Sequence, residues 1–407
     1  MDFKSLLAAK AAKRKKKKAE IIDGKKVVSK TTIRVRSKEK VGVMEKFTEY
    51  IFEDGSSKRI PLGEAAKPQY VKDQEDGIYA LPIFQWNKNK WKATQQAPQG
   101  KQKKSGKAQK KSETKKLSTV GKPSESTLPQ KLTFVTYNVW FSTRNQDARA
   151  KELLKIVTDL NADVICLQEV TPVFLDHLKA DSMIQKNYSI SDATGTTLRG
   201  RKLAYGVVMC VAKTIALTHW ALHVVPSVMN RRPLIARFGV NEKEMITVVT
   251  THLESMRNVA TRKQQLEHIF KLIEDQNHVG KLLDDDHHCF VMGDFNFDLD
   301  AKKSDEKNAI PREYKDAWRI VHPHKSKKDS VTVMDIQSRI DQVHYKSTKY
   351  GPVEMKRIGV LPIEGLNTNP PAKNAAGISM TGHSIIGSME YPSDHYGLCA
   401  VFELEMI

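Results

Sequence analysis

An α/β chain, with two packed sheets and helices on the outside, is the fold this sequence predicts. Two observations carry the prediction. From Lys131 onward, short apolar runs of strand character keep returning, some separated by segments of helical spacing and others following one another directly. An apolar content of 40% over 407 residues is also enough for one large core plus accessory segments.

The elements follow in chain order. Ala11 to Ala19 reads Ala-Ala-Lys-Arg-Lys-Lys-Lys-Lys-Ala, and residues 1–40 are expected to be a basic, disordered arm that serves nuclear import or phosphate contact. Phe47 to Phe52 before Asp54-Gly55, and Tyr79 to Trp86 before Asn87-Lys88-Asn89, each read as strand then turn, so a small β module is expected over residues 41–95. Its aromatics are read as core-forming rather than base-stacking. Residues 96–130 are mostly Lys, Ser, Gln and Pro, the composition of a flexible basic linker. Residues 131–407 then form one domain. Its strands are placed at Leu132–Asn138, Ala162–Val170, Tyr205–Val211, Met245–His252, Cys289–Asp294, Ile340–Tyr345 and Gly397–Leu404. Leu153, Leu154, Ile156, Val157 and Leu160 mark one amphipathic helix, and Leu266, Ile269, Phe270 and Ile273 a second.

Charge is concentrated at one end. Residues 1–130 hold 32 of the 67 Lys and Arg but 14 of the 47 Asp and Glu, and so carry +18 of the formal +20. That is the pattern of an arm meeting a polyanion. Cys166, Cys210, Cys289 and Cys399 are widely spaced, which excludes a Cys-x-x-Cys zinc module and gives no disulfide framework; Cys166 and Cys210 read as small buried hydrophobes. No apolar run approaches the roughly twenty residues of a membrane span, so no membrane partner is expected.

Chemistry gathers in four motifs: Thr136-Tyr137-Asn138, Leu167-Gln168-Glu169-Val170, Gly293-Asp294-Phe295-Asn296 and Ser393-Asp394-His395-Tyr396-Gly397-Leu398. Each sets an Asn, Glu, Asp or His beside an apolar run, where strands deliver polar groups to the edge of a sheet. Glu169 closes an otherwise apolar strand and needs compensation, which a hard divalent cation supplies. Asp294 and Asn296, two apart on extended backbone, would converge on one phosphate, Asp294 as general base and Asn296 as donor to a phosphoryl oxygen. His395 titrates near neutrality, and Asp341 is its expected orienting partner. His252, ending its own strand, is placed in the same site. His287 and His288 are read as surface residues of an acidic loop.

The ordered set Asn, Gln-Glu, His, Gly-Asp-x-Asn, Arg-x-Asp, Ser-Asp-His resembles the endonuclease/exonuclease/phosphatase superfamily over about residues 131–407. That resemblance implies a four-layer, DNase I-like α/β sandwich and cleavage of phosphate esters with magnesium, manganese being a substitute. Thr251-His252-Leu253-Glu254-Ser255-Met256-Arg257, Arg262, Gln265-Leu266 and the closing Pro392 to Leu398 are similar to the tyrosyl-DNA phosphodiesterase branch. By this resemblance Asn138, Glu169, Asp294, Asn296 and His395 fall on catalytic or metal positions, with Asp394 beside Glu169 at the metal, and Ser255, Arg257 and Arg339 fall to the DNA strand. The implied partners are DNA 5′ ends carrying a tyrosyl adduct and a topoisomerase-derived peptide, and the chain is expected to be a monomer acting in repair in the nucleus, with the cytoplasm as a second location. An abasic endonuclease, a poly(A) exonuclease and a non-catalytic nucleic-acid-binding scaffold are the alternatives. Two departures stand out. Asn138 is followed by Val139-Trp140 where the branch has an acid two residues on, and Thr332-Val333-Met334-Asp335 lacks an expected aromatic.

Overall fold

The computed structural model describes residues 79–94, 128–198, 204–238, 244–274, 287–301, 304–366 and 390–405 in full. It also gives the backbone of Ile78, Gly239, Met389 and the strands Ile21–Ile22, Lys25–Arg36, Met44–Phe52, Ser57–Pro61, Lys72–Asp73 and Ile385–Ile386. The basic run at 11–19, most of the linker at 96–130 and residues 367–384 of the loop before Ser393 lie outside the described residues. Two compact units emerge, Met1–Gln69 and Tyr70–Ile407. In the first, the four strands between Ile21 and Pro61 pair in sequence order as an antiparallel sheet.

The second unit holds two eight-stranded sheets. One runs, edge to edge, Tyr350–Ile358, Gly397–Leu404, Lys131–Asn138, Val164–Val170, Gly206–Ala212, Tyr188–Ile190, Ile83–Asn87, Lys90–Thr94. The other runs Lys315–Asp316, Asp341–Lys346, His287–Asp294, Met245–His252, Leu234–Gly239, Leu217–His223, Ile78–Ala80, Lys72–Asp73. Each sheet is mixed, with one central parallel pair joined through a helix: Lys131–Asn138 to Val164–Val170 through Gln146–Asp159, and Met245–His252 to His287–Asp294 through Val259–Glu274. A parallel pair needs such a crossover, and the helix covers the outer face of its sheet.

Alternation along the strands then sorts side chains into layers. Phe134, Cys166 and Met209 of the first sheet meet Trp220, Val248, Phe290 and Met292 of the second between the sheets. On the outer face of the first sheet, Val135, Ile165 and Cys210 pack against Leu153, Leu154 and Val157 of the Gln146–Asp159 helix and Phe174 and Leu178 of the Pro172–Ala180 helix. Thr171 caps that second helix by accepting from Phe174 N, with proline at its first position. On the far side, Val249 and Val291 pack against Leu266, Ile269 and Phe270. Helix, sheet, sheet, helix is the four-layer sandwich that the motifs imply. All four cysteines are buried and free. No helix among the described residues is long and apolar enough to cross a membrane.

Two expectations need correction. Residues 41–95 are not one module, because Lys72–Asp73 and Ile78–Ala80 join one large sheet while the hairpin Ile83–Asn87/Lys90–Thr94 joins the other. Lys88 and Asn89 turn that hairpin with φ of 49° and 61°, the two-residue geometry that follows strand twist. Leu81 N donates to Trp220 O at 3.1 Å, and Trp220 Nε1 donates to Pro82 O at 3.0 Å, so the segment is bonded into the sandwich. The large domain therefore starts near residue 70 rather than at 131. His287 and His288 are likewise not loop residues but open the strand His287–Asp294, where His288 is fully buried and accepts or donates at Ser347 Oγ.

Candidate active site

The central strands all deliver their chemistry to one edge of the sandwich. Asn138, Glu169, His252 and Asp294 lie at the C-terminal ends of the two parallel pairs, in register across each: Gln168 faces Asn138, and His252 faces Asp294. Asp341 opens the antiparallel strand opposite Asp294, and His395 precedes the strand that runs back beside Lys131–Asn138. The crevice outside such strand ends is where open α/β folds place ligands.

Local backbone aims these groups. Glu169 adopts φ 58° where the pairing of its strand slips between Leu167 and Val170, a bulge that turns the carboxylate out of the pleat. Gly293 sits at φ 142°, and a Cβ there would lie 1.9 Å from Thr251 O, so glycine alone lets the two central strands end side by side. Gln168 bridges the sheets through Nε2, donating to Thr136 Oγ1 at 3.1 Å and Thr250 Oγ1 at 2.9 Å, which fixes their separation just beneath the site.

A continuous polar line results. Asn138 Nδ2 donates to Asp294 Oδ2 at 3.0 Å and lies 3.5 Å from His395 Nε2. His395 Nδ1 meets Asp341 Oδ2 at 2.8 Å, and His252 Nε2 lies 3.3 Å from Asp294 Oδ2 and 3.9 Å from Glu169 Oε1. Every one of these groups is buried. Burial opposes charge on His395, but Asp341, Asp394 and Asp294 outweigh it and hold the imidazole well above its usual range. His252 is pushed well below, by burial and by Arg231, whose Nη1 sits 2.9 Å from His252 Nδ1. The two histidines are therefore set apart, one cationic and one neutral. Burial also raises Asp294 to about 6, and burial with Asp394 raises Glu169 to about 7.

Glu169 accepts from Phe141 N at 2.9 Å, and among the described residues no Lys or Arg pairs with it. No three His, Cys, Asp or Glu side chains among the described residues converge as a ready-made metal cage. A buried carboxylate with a second one in its field does fit a hard cation that takes one or two carboxylates and keeps its waters.

Asn138, Glu169, His252, Asp294, Asp341, Asp394 and His395 are thus brought together. Asn296 is close but not as expected: it sits at φ 56°, outside the extended run, with its N–H on Asp294 Oδ1 at 2.9 Å and Nδ2 on Leu253 O at 3.1 Å. Ser255 is half-buried and Arg257 exposed on the loop after His252. Arg339 is elsewhere. It is wholly buried, forked onto Asp300 at 2.9 Å and Asp316 at 2.7 Å, and is corrected from a DNA contact to an internal ion pair. Arg231 is the site residue that sequence reasoning missed. Its only signal is a pair of arginines before Pro233, which any basic loop shares. The Glu254 match also proves internal: its carboxylate accepts from Ser227 Oγ, Val228 N and Met229 N and so pins the loop that carries Arg231.

The model of the Endonuclease/Exonuclease/phosphatase family matches residues 135–395. No curated protein matches the chain. Among solved structures, truncated Caenorhabditis elegans TDP2 is 19% identical, with 67% of this chain and 98% of that one covered and a TM-score of 0.51. A humanized D. rerio TDP2 is 20% identical over 68% of this chain and 100% of that one, with a TM-score of 0.49. The human Nocturnin catalytic domain is 14% identical over 68% and 94%, with a TM-score of 0.48. At these identities the similarity to the C. elegans structure is one of fold.

Proposed function

The chain belongs to the endonuclease/exonuclease/phosphatase family, and from that premise we propose that it is a magnesium-dependent phosphodiesterase that hydrolyses the bond between a 5′ DNA end and a tyrosine. The observation that carries the phosphodiesterase reading is the buried line Asp341, His395, Asn138, Asp294, His252 beside Glu169 and Asp394. The finer substrate rests on the similarity of Thr251 to Arg257 and Pro392 to Leu398 to the tyrosyl-DNA phosphodiesterases.

Each residue then has a task. Glu169 and Asp394 would hold the cation, which when bound polarises a phosphoryl oxygen. Asp294, with its carboxyl at about 6, is largely ionised at neutral pH and accepts the proton of the attacking water. Asn138 donates to its Oδ2, beside which His252 Nε2 lies at 3.3 Å, and Oδ1 is left as the accepting atom beside Asn296 N. His395, held protonated by Asp341, presents a cationic N–H at Nε2 to the oxygens whose charge grows in the transition state. Ser255 and Arg257 contact the DNA strand, and the basic N-terminal region adds a salt-screened attraction for long DNA and nuclear retention.

The deciding experiment offers purified protein and magnesium a panel of 5′-tyrosyl DNA, 3′-tyrosyl DNA, abasic duplex and oligo(A). Preferred turnover of the 5′-tyrosyl substrate is expected. Preference for abasic duplex or oligo(A) would keep the phosphodiesterase and replace the substrate, and no turnover of any would return the scaffold alternative.

A further inference from the structure

Among the described residues Arg149 is one of the largest side chains to be fully buried, and nothing in the proposed chemistry uses it. It projects from the first turn of the Gln146–Asp159 helix. Its guanidinium donates to four carbonyls of the loop that follows Asn138: Arg144 O at 2.9 Å, Val139 O at 3.2 Å, Trp140 O at 3.4 Å and Ser142 O at 2.5 Å. A fifth bond, at 3.3 Å, reaches Pro392 O. The same cation lies 4.5 Å from the Trp140 ring centroid and 4.0 Å from Oε1 of Glu390, which is itself fully buried.

The pieces that Arg149 joins are far apart in sequence and adjacent at the site. The 139–144 loop supplies Phe141 N, which donates to Glu169 Oε2. Pro392 is two residues before Asp394, and Ser393 Oγ donates back to Asn138 O at 2.6 Å. One guanidinium therefore joins the loop that donates to the Glu169 carboxylate and the segment that carries Asp394. A planar five-donor group can bind several carbonyls in fixed directions, which a lysine ammonium on a flexible stem cannot. The desolvation cost of a buried arginine is accepted where it is fully satisfied and where registry is gained.

We propose that Arg149 is a positioning residue that sets the separation of the Glu169 and Asp394 carboxylates and so the affinity of the site for its divalent cation, with Glu390 fixing the guanidinium in turn. This rests on the metal reading given above. The proposal assigns Arg149 no contact with substrate or cation. Its effect should appear in metal affinity, while KM for a short substrate measured at saturating metal stays unchanged.

Manganese, used as the probe, is titrated into wild-type, Arg149→Lys, Arg149→Met and Glu390→Gln proteins and free ion is read by electron paramagnetic resonance, alongside melting curves. Wild-type protein is expected to bind the ion, Arg149→Lys and Glu390→Gln to bind it about tenfold more weakly, and Arg149→Met more weakly still, with cooperative melting in each. Should an Arg149 variant fail to melt cooperatively, Glu390→Gln, which keeps shape and removes only charge, decides. Unchanged affinity in the folded variants overturns the positioning role. Wild-type protein that binds no manganese overturns the metal reading itself, a distinguishable result.

Discussion

At Glu169 the cost of burial and the use of the residue are the same fact. Its carboxyl is raised from 4.5 to about 7 by burial first and Asp394 second. A carboxyl raised on folding binds protons more tightly in the folded chain, so metal-free protein loses stability as pH rises from about 4.5 through about 7. Glu169→Gln removes that loss. Metal-free Glu169→Gln should thus melt several degrees above metal-free wild type at pH 8, with the gap closing by pH 4, while magnesium raises the wild-type midpoint and leaves the variant's alone. Magnesium-supported hydrolysis should be abolished in the variant. Near-normal turnover at moderate magnesium, or a gap that does not depend on pH, would remove Glu169 from the metal. Asp294→Asn and His395→Ala act on the transition state and should each lower kcat by about two orders of magnitude with little change in DNA affinity. The Asp294 carboxylate and the His395 imidazolium lie 4.0 Å apart as an ion pair, so the double variant should cost less than the product of the singles. If KM rose while kcat held, both residues would be binding groups.

Among the elements, the strand Asp341–Lys346 shows how a site residue is held from behind. Arg339, just ahead of it, forks onto Asp300 and Asp316, and those acids also anchor Arg319 and the Trp318 amide. Removing one partner of such a buried network leaves unpaired charge and costs about 3–5 kcal/mol. Arg339→Met should therefore lower the melting midpoint by roughly 10 °C, while the folded fraction binds short DNA as wild type does; weakened DNA binding at unchanged stability would reinstate Arg339 as a strand contact. This residue also marks the limit of what sequence shows. Strands buried on both faces, such as Val164–Val170 and His287–Asp294, announce themselves as continuous apolar runs, and the strand-end polar residues after them were legible for that reason. Tyr350–Ile358 was not, because it is an edge strand, with Pro352 at an irregularity and Val353, Glu354 and Lys356 exposed. Leu217–His223 hides differently, since Thr218, His219 and His223 interrupt its apolar run although His223 is itself buried. Arg149 and Arg231 read as ordinary charges in sequence, since only tertiary packing buries them beside carbonyls and an imidazole.

Over the whole molecule, the position of the domain boundary changes what truncation does. If residues 1–130 were arm, module and linker, their removal would spare chemistry on a short substrate. The sandwich instead takes four strands from that region, two into each large sheet. Leu81, Ile83 and Leu128 are part of the core between the sheets, and Pro129 O receives Tyr350 OH at 2.7 Å. Deleting residues 1–130 should expose the Tyr188–Ile190 and Leu217–His223 strands as raw sheet edges, giving protein that melts early or aggregates and turns over little. Deleting residues 1–69 should not. That region is a compact unit of its own, and it carries 19 Lys and Arg against 9 Asp and Glu, half of the formal +20. Its loss should leave kcat/KM on a short 5′-tyrosyl oligomer within about twofold of full length while weakening long-duplex binding and flattening its salt dependence, because diffuse lysine contacts act through counterion release. The two truncations, compared on both substrates at low and physiological salt, separate the contributions. A 1–130 deletion that melts like full length and keeps its short-substrate activity would mean that the four N-terminal strands are dispensable edges. A 1–69 deletion that folds but is inactive on the short oligomer would instead give the first unit a share in the active site.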